Sequence, residues 1–139
     1  MDELVVKNYR HLCRKGFAHV GELENPSIFL DTVGERIRIC SHVSHAYIHI
    51  YINIRDGVIE DIKYLCNCDP TANVVVEILC DLVKGRTVKE AEKLSVADFT
   101  RALGGGGEEY RKKARGTIEL LRRGLARYGR SALTTPPEA

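Results

Sequence analysis

Two cysteines separated by one residue, Cys66 and Cys68, are the residues of this sequence best suited to chemistry. They are followed by Asp69 and Pro70, residue types preferred at the N-cap and at the first position of a helix. The sequence therefore predicts that both thiols lie in a turn just before a helix begins. The free N–H groups and positive dipole end of that helix favour thiolates, which bind metals and accept sulfur. We interpret the pair as a metal or sulfur site, with two ordinary thiols in a turn as the alternative.

The composition limits the class of protein. With 139 residues, 44% of them hydrophobic, the chain has the size and apolar content of one domain with its own core. Its 21 basic and 19 acidic residues leave a formal charge of +2, so nucleic acid is not an expected partner. No apolar run approaches the roughly 18 to 20 residues of a membrane span. Five cysteines without a secretory signal predict a protein of the reducing cytoplasm.

The strands are predicted from alternating isoleucines that follow a loop through Pro26. Isoleucine alternates with other residues over 36–39 and again over 47–54, which indicates two strands or one long broken strand. Asp56-Gly57 is a tight-turn pair after the second run. Residues 46–65 are therefore predicted to form an antiparallel hairpin.

The helices are predicted from apolar residues at helical spacing and from their end signals. The predicted boundaries are Gly16 at the end of the first helix, Pro70 and Gly85 at the ends of the second, Thr87 and Ser95 at the starts of two short helices, and the glycines at 104–107 before a last helix through Tyr128. Strands before helices predict an α+β fold, in which an antiparallel sheet of about three strands is packed on one face by C-terminal helices. The expected single domain covers residues 1–130, and residues 131–139 are predicted to be a disordered tail.

Three stretches of the sequence carry a resemblance to a known family. Residues 20–26, Val-Gly-Glu-Leu-Glu-Asn-Pro, resemble an N-V-G-x-L-x-x-P loop, and a hairpin then leads into the cysteine turn. Residues 83–91, Val-Lys-Gly-Arg-Thr-Val-Lys-Glu-Ala, resemble the signature V-K-G-K-T-x-x-E-A. These motifs are those of the IscU/NifU-type iron-sulfur cluster assembly scaffolds, of which the chain is identified as a divergent member. The resemblance covers nearly the whole chain and implies a SufE/NifU-like fold.

The resemblance also implies a site and partners. Members assemble a [2Fe-2S] cluster on three cysteines and an auxiliary aspartate or histidine, with sulfur supplied by a cysteine desulfurase and the cluster passed to apoproteins. Cys40-Ser41-His42 is similar to the family's first motif, C-G-D, although an ungapped alignment would put Ser44 at the cysteine position. The second family cysteine corresponds to Cys66 or Cys68. The position of the third falls near Lys113, where the sequence has no thiol or imidazole.

The expected metal ligands are therefore Cys40, His42, Cys66 and Cys68, a Cys3His set that suits iron, a cluster or zinc. On this interpretation the chain is a scaffold or carrier and not an enzyme. Three alternatives stay open: a SufE-like sulfur acceptor for a desulfurase, a degenerate paralogue that acts as a non-catalytic adaptor, and a zinc-binding protein of the same fold.

The last helix carries a run of basic residues. The interpretation we favour is the solvated face of an amphipathic helix, with nucleic-acid binding as a less favoured alternative. The resemblance implies that this helix borders the cluster site. Lys112, Lys113 and Arg115 are therefore predicted to contact an acidic partner.

Overall fold

The alternating isoleucines form the central strand of a three-stranded antiparallel sheet. The computed structural model describes residues 2–32, 39 and 46–134, with side chains as far as residue 130. In chain order, the described elements are α1 (Glu3–Lys15), β1 (Ile28–Asp31), β2 (Ile48–Arg55), β3 (Val58–Cys66), α2 (Pro70–Val83), α3 (Val88–Glu92), α4 (Val96–Leu103) and α5 (Glu108–Thr134). The strand order is β1-β2-β3. The predicted α+β class is thereby confirmed.

The predicted hairpin is confirmed as β2 and β3. Ile48, Ile50 and Ile52 of β2 are fully buried, while the residues between them are partly exposed, so one face of the strand lies on the core. The turn uses Asp56 at φ 52° and Gly57 at φ 76°. A two-residue turn with both φ angles positive matches the twist of the strands it joins, which explains why Asp-Gly stands here.

The third strand was not predicted at its place in the sequence. β1 pairs antiparallel with β2, with Ile28 opposite Ile52 and Leu30 opposite Ile50. Its four residues are too few for a period-two pattern to stand out. The strand predicted at 36–39 falls outside the described residues except for Ile39, which is buried but belongs to no strand.

Helix α2 begins where the sequence predicted. The Asp69 side chain accepts the N–H of Ala72, and Pro70 occupies the first turn. α2 packs against α1, α5 and β3, and most of its residues are buried. Because it contacts both β3 and the last helix, α2 supports the turn that precedes it.

The remaining helices end and begin at the predicted signals, with one correction. Thr87 and Ser95 form capping boxes, and α4 ends at Gly104 in the left-handed conformation. Helix α5 continues to Thr134, so residues 131–134, the first four of the predicted tail, are helical. Residues 135–139 lie outside the described part of the chain. None of the described helices has the length and apolar character that a membrane span requires.

The close approach of α5 to β1 gives a first testable prediction. A Cβ on Gly124 would overlap the side chain of Leu30. Gly124→Ala is therefore expected to lower the free energy of unfolding by about 1 kcal/mol, because the overpacking cost exceeds the gain in helix propensity. Gly129→Ala in the same helix is the control, since a Cβ there meets nothing within 4 Å. Urea denaturation of both variants checks the prediction, and equal stability of the two would contradict the packing of β1 on α5.

Candidate cysteine site

The two cysteines lie in the connection between β3 and α2, as predicted. Cys66 is the last residue of β3, and the helix begins two residues after Cys68. Asn67 fixes the connection to the start of β2: its side-chain oxygen accepts the N–H of Tyr47 at 2.6 Å, and its own N–H donates to the Tyr47 carbonyl at 3.2 Å. The turn is therefore held on both sides, by the sheet and by the capped helix.

The Cys66 thiol is free and partly buried. Burial raises its pKa to about 11, because desolvation penalises the thiolate more than the surrounding groups stabilise it. The Cys68 N–H and the Lys113 charge lower that pKa, while the Asp69 charge raises it. The thiolate expected at Cys66 is therefore not the favoured form, since desolvation raises its pKa more than the Cys68 N–H and the Lys113 charge lower it.

The raised pKa of Cys66 predicts slow alkylation. At pH 8, only about one Cys66 side chain in a thousand is a thiolate, and the thiolate is the nucleophile. The rate of reaction with iodoacetamide is expected to rise nearly tenfold per pH unit from pH 7 to 10. Site-resolved mass spectrometry measures it, with the exposed thiol of Cys13 as internal reference. A plateau in the Cys66 rate below pH 9 would contradict the raised pKa.

Cys68 is disulfide-bonded, whereas Cys13, Cys66 and Cys80 are free. Its Sγ lies 3.4 Å from the carbonyl oxygen of Tyr47. A disulfide sulfur is not a thiolate, so the predicted role of Cys68 as a ligand applies to the reduced protein. Cys40 and His42, the other two predicted ligands, lie outside the described residues.

Lys113, which was predicted to contact an acidic partner, has a different role in the structure. It extends from α5 to the cysteine turn, where its Nζ donates to the carbonyl of Ile39 at 2.6 Å and pairs with the Asp69 carboxylate at 3.2 Å. Only 6% of the residue is exposed. The sequence placed the missing third cysteine near Lys113, and the structure shows an ammonium group at the site instead.

The burial of Lys113 also changes the interpretation of the basic run. Lys112 and Arg115 are exposed, and Arg115 pairs with Glu108 at 2.9 Å. Lys113 cannot contact a partner in the same way, because its charge is used inside the fold. The solvated face of α5 therefore includes two of the three residues predicted to bind a partner.

The donor set of the turn fits a metal only in part. Two sulfur atoms and one carboxylate are suitable donors for iron or zinc. However, the Asp69 carboxylate already caps α2 and pairs with Lys113. A metal ion bound here would also lie close to the ammonium group, which repels it. The described residues thus supply two sulfur ligands, and a complete set needs donors from elsewhere in the chain.

His49, which was not predicted as a ligand, lies on the solvent-facing side of β2. Its Nε2 is 3.4 Å from an Asp31 oxygen, and its ring lies beside Tyr47, with ring centres 4.3 Å apart. Cys80 is fully buried in α2, and Cys13 is exposed on α1. The surroundings of His49, Cys80 and Cys13 are those of ordinary structural residues and do not indicate a metal site.

The fold is the one found in NifU-like and SufU proteins. The N-terminal part of a nitrogen-fixing NifU-like protein from Brucella abortus matches with a TM-score of 0.54 and 15% identity, over 97% of this chain and 95% of that one. A protein from Fervidobacterium islandicum, described as an iron-sulfur cluster assembly scaffold for the SUF system, matches with a TM-score of 0.60 and 14% identity, over 90% and 96% of the two chains. At these identities, the likeness shows the SufE/NifU-like fold alone.

The sequence itself shows the family. Residues 18–134 match the model of the NifU-like N-terminal domain, so the chain belongs to that family. The iron-sulfur cluster assembly scaffold proteins IscU 1 and IscU 2 of Archaeoglobus fulgidus are each 31% identical to it over 81 residues, which is 58% of this chain and 53% of each relative. The chain thus spans about half the length of the curated relatives it matches. The family membership inferred from the sequence motifs is confirmed.

Proposed function

We propose that this protein acts in iron-sulfur cluster assembly as a scaffold or carrier, and that it holds iron or a [2Fe-2S] cluster as cargo without catalysing a reaction. The observation that carries the proposal is the fixed turn in which Cys66 and Cys68 lie just before the start of α2, in a chain of the NifU-like N-terminal domain family. Thiolates are the ligands that iron-sulfur clusters require. In this proposal, Cys40 and His42 complete the ligand set.

The surroundings of the turn support a site of this kind. Ile39, which precedes Cys40 in the sequence, is buried and accepts a hydrogen bond from Lys113. The chain just before the other two proposed ligands is therefore held close to the cysteine turn. A set without a third family cysteine binds its cargo loosely, which suits transfer to acceptor apoproteins. Sulfur would come from a cysteine desulfurase, and the exposed Lys112 and Arg115 would contact an acidic surface of a partner.

The disulfide at Cys68 adds a redox condition to the proposal. Because only the thiolate binds a metal, the protein must be reduced before it can be loaded. Loading is accordingly expected in the presence of a thiol reductant and absent without one. This requirement is consistent with work in a reducing cytoplasm.

The test is the metal and acid-labile sulfide content of protein that is purified anaerobically, reduced, and reconstituted with ferrous iron and sulfide. Equal amounts of iron and sulfide, with a visible charge-transfer band, are expected. Zinc alone, if it is lost when Cys66 and Cys68 are replaced by serine, would identify a Cys/His zinc site in the same fold. No metal under any of these conditions would reject the scaffold function and leave the sulfur-acceptor function, or an adaptor that no longer binds a cluster.

The buried ammonium group of Lys113 favours a second candidate function, that of a SufE-like sulfur acceptor. A cation beside Cys66 repels a metal ion but stabilises a persulfide anion. In such a transfer, the desulfurase persulfide gives its outer sulfur to the Cys66 thiolate, the desulfurase cysteine leaves as a thiolate, and Cys66 becomes a persulfide. Incubation with a desulfurase and cysteine, followed by mass spectrometry, should then show one added sulfur on Cys66. If the added sulfur appears on Cys13 as readily as on Cys66, this candidate is wrong.

A further inference from the structure

A second group of metal-ligand side chains lies away from the cysteine turn. His19, in the segment between α1 and β1, meets Glu77 and Asp81 of α2, and one ligand atom from each lies within 4.8 Å of the others. His19 Nε2 is 2.7 Å from an Asp81 oxygen and 3.7 Å from Glu77 Oε2. Glu77 and Asp81 are about 12 to 18 Å along α2 from its N-cap, by the rise of a helix. The two groups of residues are therefore separate sites.

The backbone and a tyrosine hold this group in place. The His19 N–H donates to Glu77 Oε1 at 3.2 Å, and the Tyr64 hydroxyl donates to the same oxygen at 3.2 Å. The His19 carbonyl accepts the Tyr64 N–H at 2.9 Å, so the segment runs along the outer edge of β3. With Oε1 occupied in this way, Oε2 of Glu77 is directed at the imidazole. Hydrogen bonds to the second oxygen of a carboxylate are typical of metal ligands.

The charges of the group favour a cation. Glu77 is only 2% exposed, and Asp81 lies one turn further along the same helix, where two like charges destabilise each other. A buried carboxylate is costly unless it is paired. His19 Nε2 lies within hydrogen-bond distance of an Asp81 oxygen, at 2.7 Å. At 3.7 Å from Glu77 Oε2, it does not form a hydrogen bond with Glu77. Among the described residues, the hydrogen bonds to Glu77 are made to Oε1, so the charge on Oε2 is met only by the His19 ring at 3.7 Å.

The distances between the ligand atoms fit a small divalent cation. Zinc binds nitrogen and oxygen at about 2.0 to 2.2 Å, which separates the ligand atoms of a tetrahedral site by about 3.3 Å. The two distances from His19 Nε2 lie on either side of this value. The Asp81 side chain is 64% exposed, so the group opens to solvent on the side where an ion and its water ligand would arrive. His19 and Glu77 are buried and form the closed side.

We propose that His19, Glu77 and Asp81 form a binding site for a first-row divalent cation. One imidazole and two carboxylates without sulfur suit Zn²⁺, Mn²⁺ or Fe²⁺, in contrast with the sulfur donors of the cysteine turn. The ion replaces the hydrogen bond between His19 and Asp81 and supplies the positive charge that Glu77 lacks. The site does not depend on the proposed function of the cysteines.

The first measurement uses the chain with Cys66→Ser and Cys68→Ser, so that the cysteine turn cannot bind metal. Titration calorimetry with Zn²⁺ is expected to show one binding event. Cobalt(II) in place of zinc should give visible bands without thiolate charge transfer, as nitrogen and oxygen donors do. Absence of zinc binding, or a cobalt spectrum with thiolate bands, would overturn the proposal.

The second measurement identifies the ligands in the same background. Asp81→Asn removes a ligand at an exposed position and is expected to weaken zinc binding at least tenfold. Asp61→Asn is the matched control: Asp61 pairs with Lys84 at 3.3 Å, outside the group, and the variant should bind zinc as the parent does. Glu77→Gln, with its fold checked by circular dichroism, should lose binding as Asp81→Asn does. If Asp81→Asn and Asp61→Asn bind zinc equally tightly, the assigned site is wrong.

Discussion

Replacing Cys66 and Cys68 together by serine is expected to abolish the loading of acid-labile sulfide, and of the iron bound with it, on the reduced protein. Serine keeps the size of the side chain but offers a hydroxyl group, which does not replace a thiolate as a cluster ligand. The turn should survive the change, because Asn67 and the Asp69 cap hold it independently of the thiols. Iron and acid-labile sulfide are measured after anaerobic reconstitution, as for the parent protein.

Cys13→Ser is the matched control for this pair of substitutions. Cys13 is a free and exposed thiol on α1, so its loss should leave the iron and sulfide content unchanged. The two single variants, Cys66→Ser and Cys68→Ser, show which cysteine corresponds to the second cysteine of the family. If loading persists in the double variant, the cargo is held elsewhere and the proposed ligands are wrong.

Lys113→Met is expected to lower the free energy of unfolding by about 3 kcal/mol. Removal of one partner from a buried ion pair typically costs about 3 to 5 kcal/mol, and the value here lies at the lower end because Asp69 is a quarter exposed. The substitution also leaves the Ile39 carbonyl without its lysine donor. Methionine keeps the length of the side chain, so the loss is that of charge and hydrogen bonding. Urea denaturation measures the change.

Lys112→Met is the control, since Lys112 precedes Lys113 on α5 and is exposed. Its effect on the free energy of unfolding should stay within about 0.5 kcal/mol. A double-mutant cycle with Asp69→Asn measures how much of the loss belongs to the ion pair. Equal stability of Lys112→Met and Lys113→Met would show that the buried ammonium contributes nothing to the fold.

The Lys113→Met variant also distinguishes between the two candidate functions of the cysteine turn. A scaffold that loses a repelling charge next to its cargo should bind iron more tightly in Lys113→Met than in the parent. A sulfur acceptor that loses the charge next to its persulfide should instead accumulate less persulfide on Cys66. The opposite directions of these two effects make the result informative even if the variant is less stable.

The sequence predicted those parts of the fold that depend on neighbouring residues. Asp56-Gly57 identified the hairpin, and Asp69-Pro70 identified the start of α2, because a turn and a cap are determined by a few adjacent side chains. Strand β1 was missed, since its four residues owe their conformation to pairing with β2.

The candidate site, like the fold, was predictable only where it depends on neighbouring residues or on the family motifs. The place of the thiols was found from local signals and from the family motifs. The raised pKa of Cys66 and the burial of Lys113 were not, because both depend on the tertiary packing around the turn. The group of His19 with Glu77 joins residues that are 58 positions apart, and periodicity carries no information about such a contact.

The contact of Lys113 with Ile39 and Asp69 has a consequence for the order of folding. Lys113 and Ile39 are separated by 74 positions, so this contact closes one of the long loops of the chain. During synthesis, the cysteine turn is complete about 45 residues before Lys113 is added. Each nascent chain therefore passes through a stage in which the hairpin and both thiols exist without the ammonium group that later lies beside them. The charge that pairs with Asp69 reaches the turn only when the last helix docks.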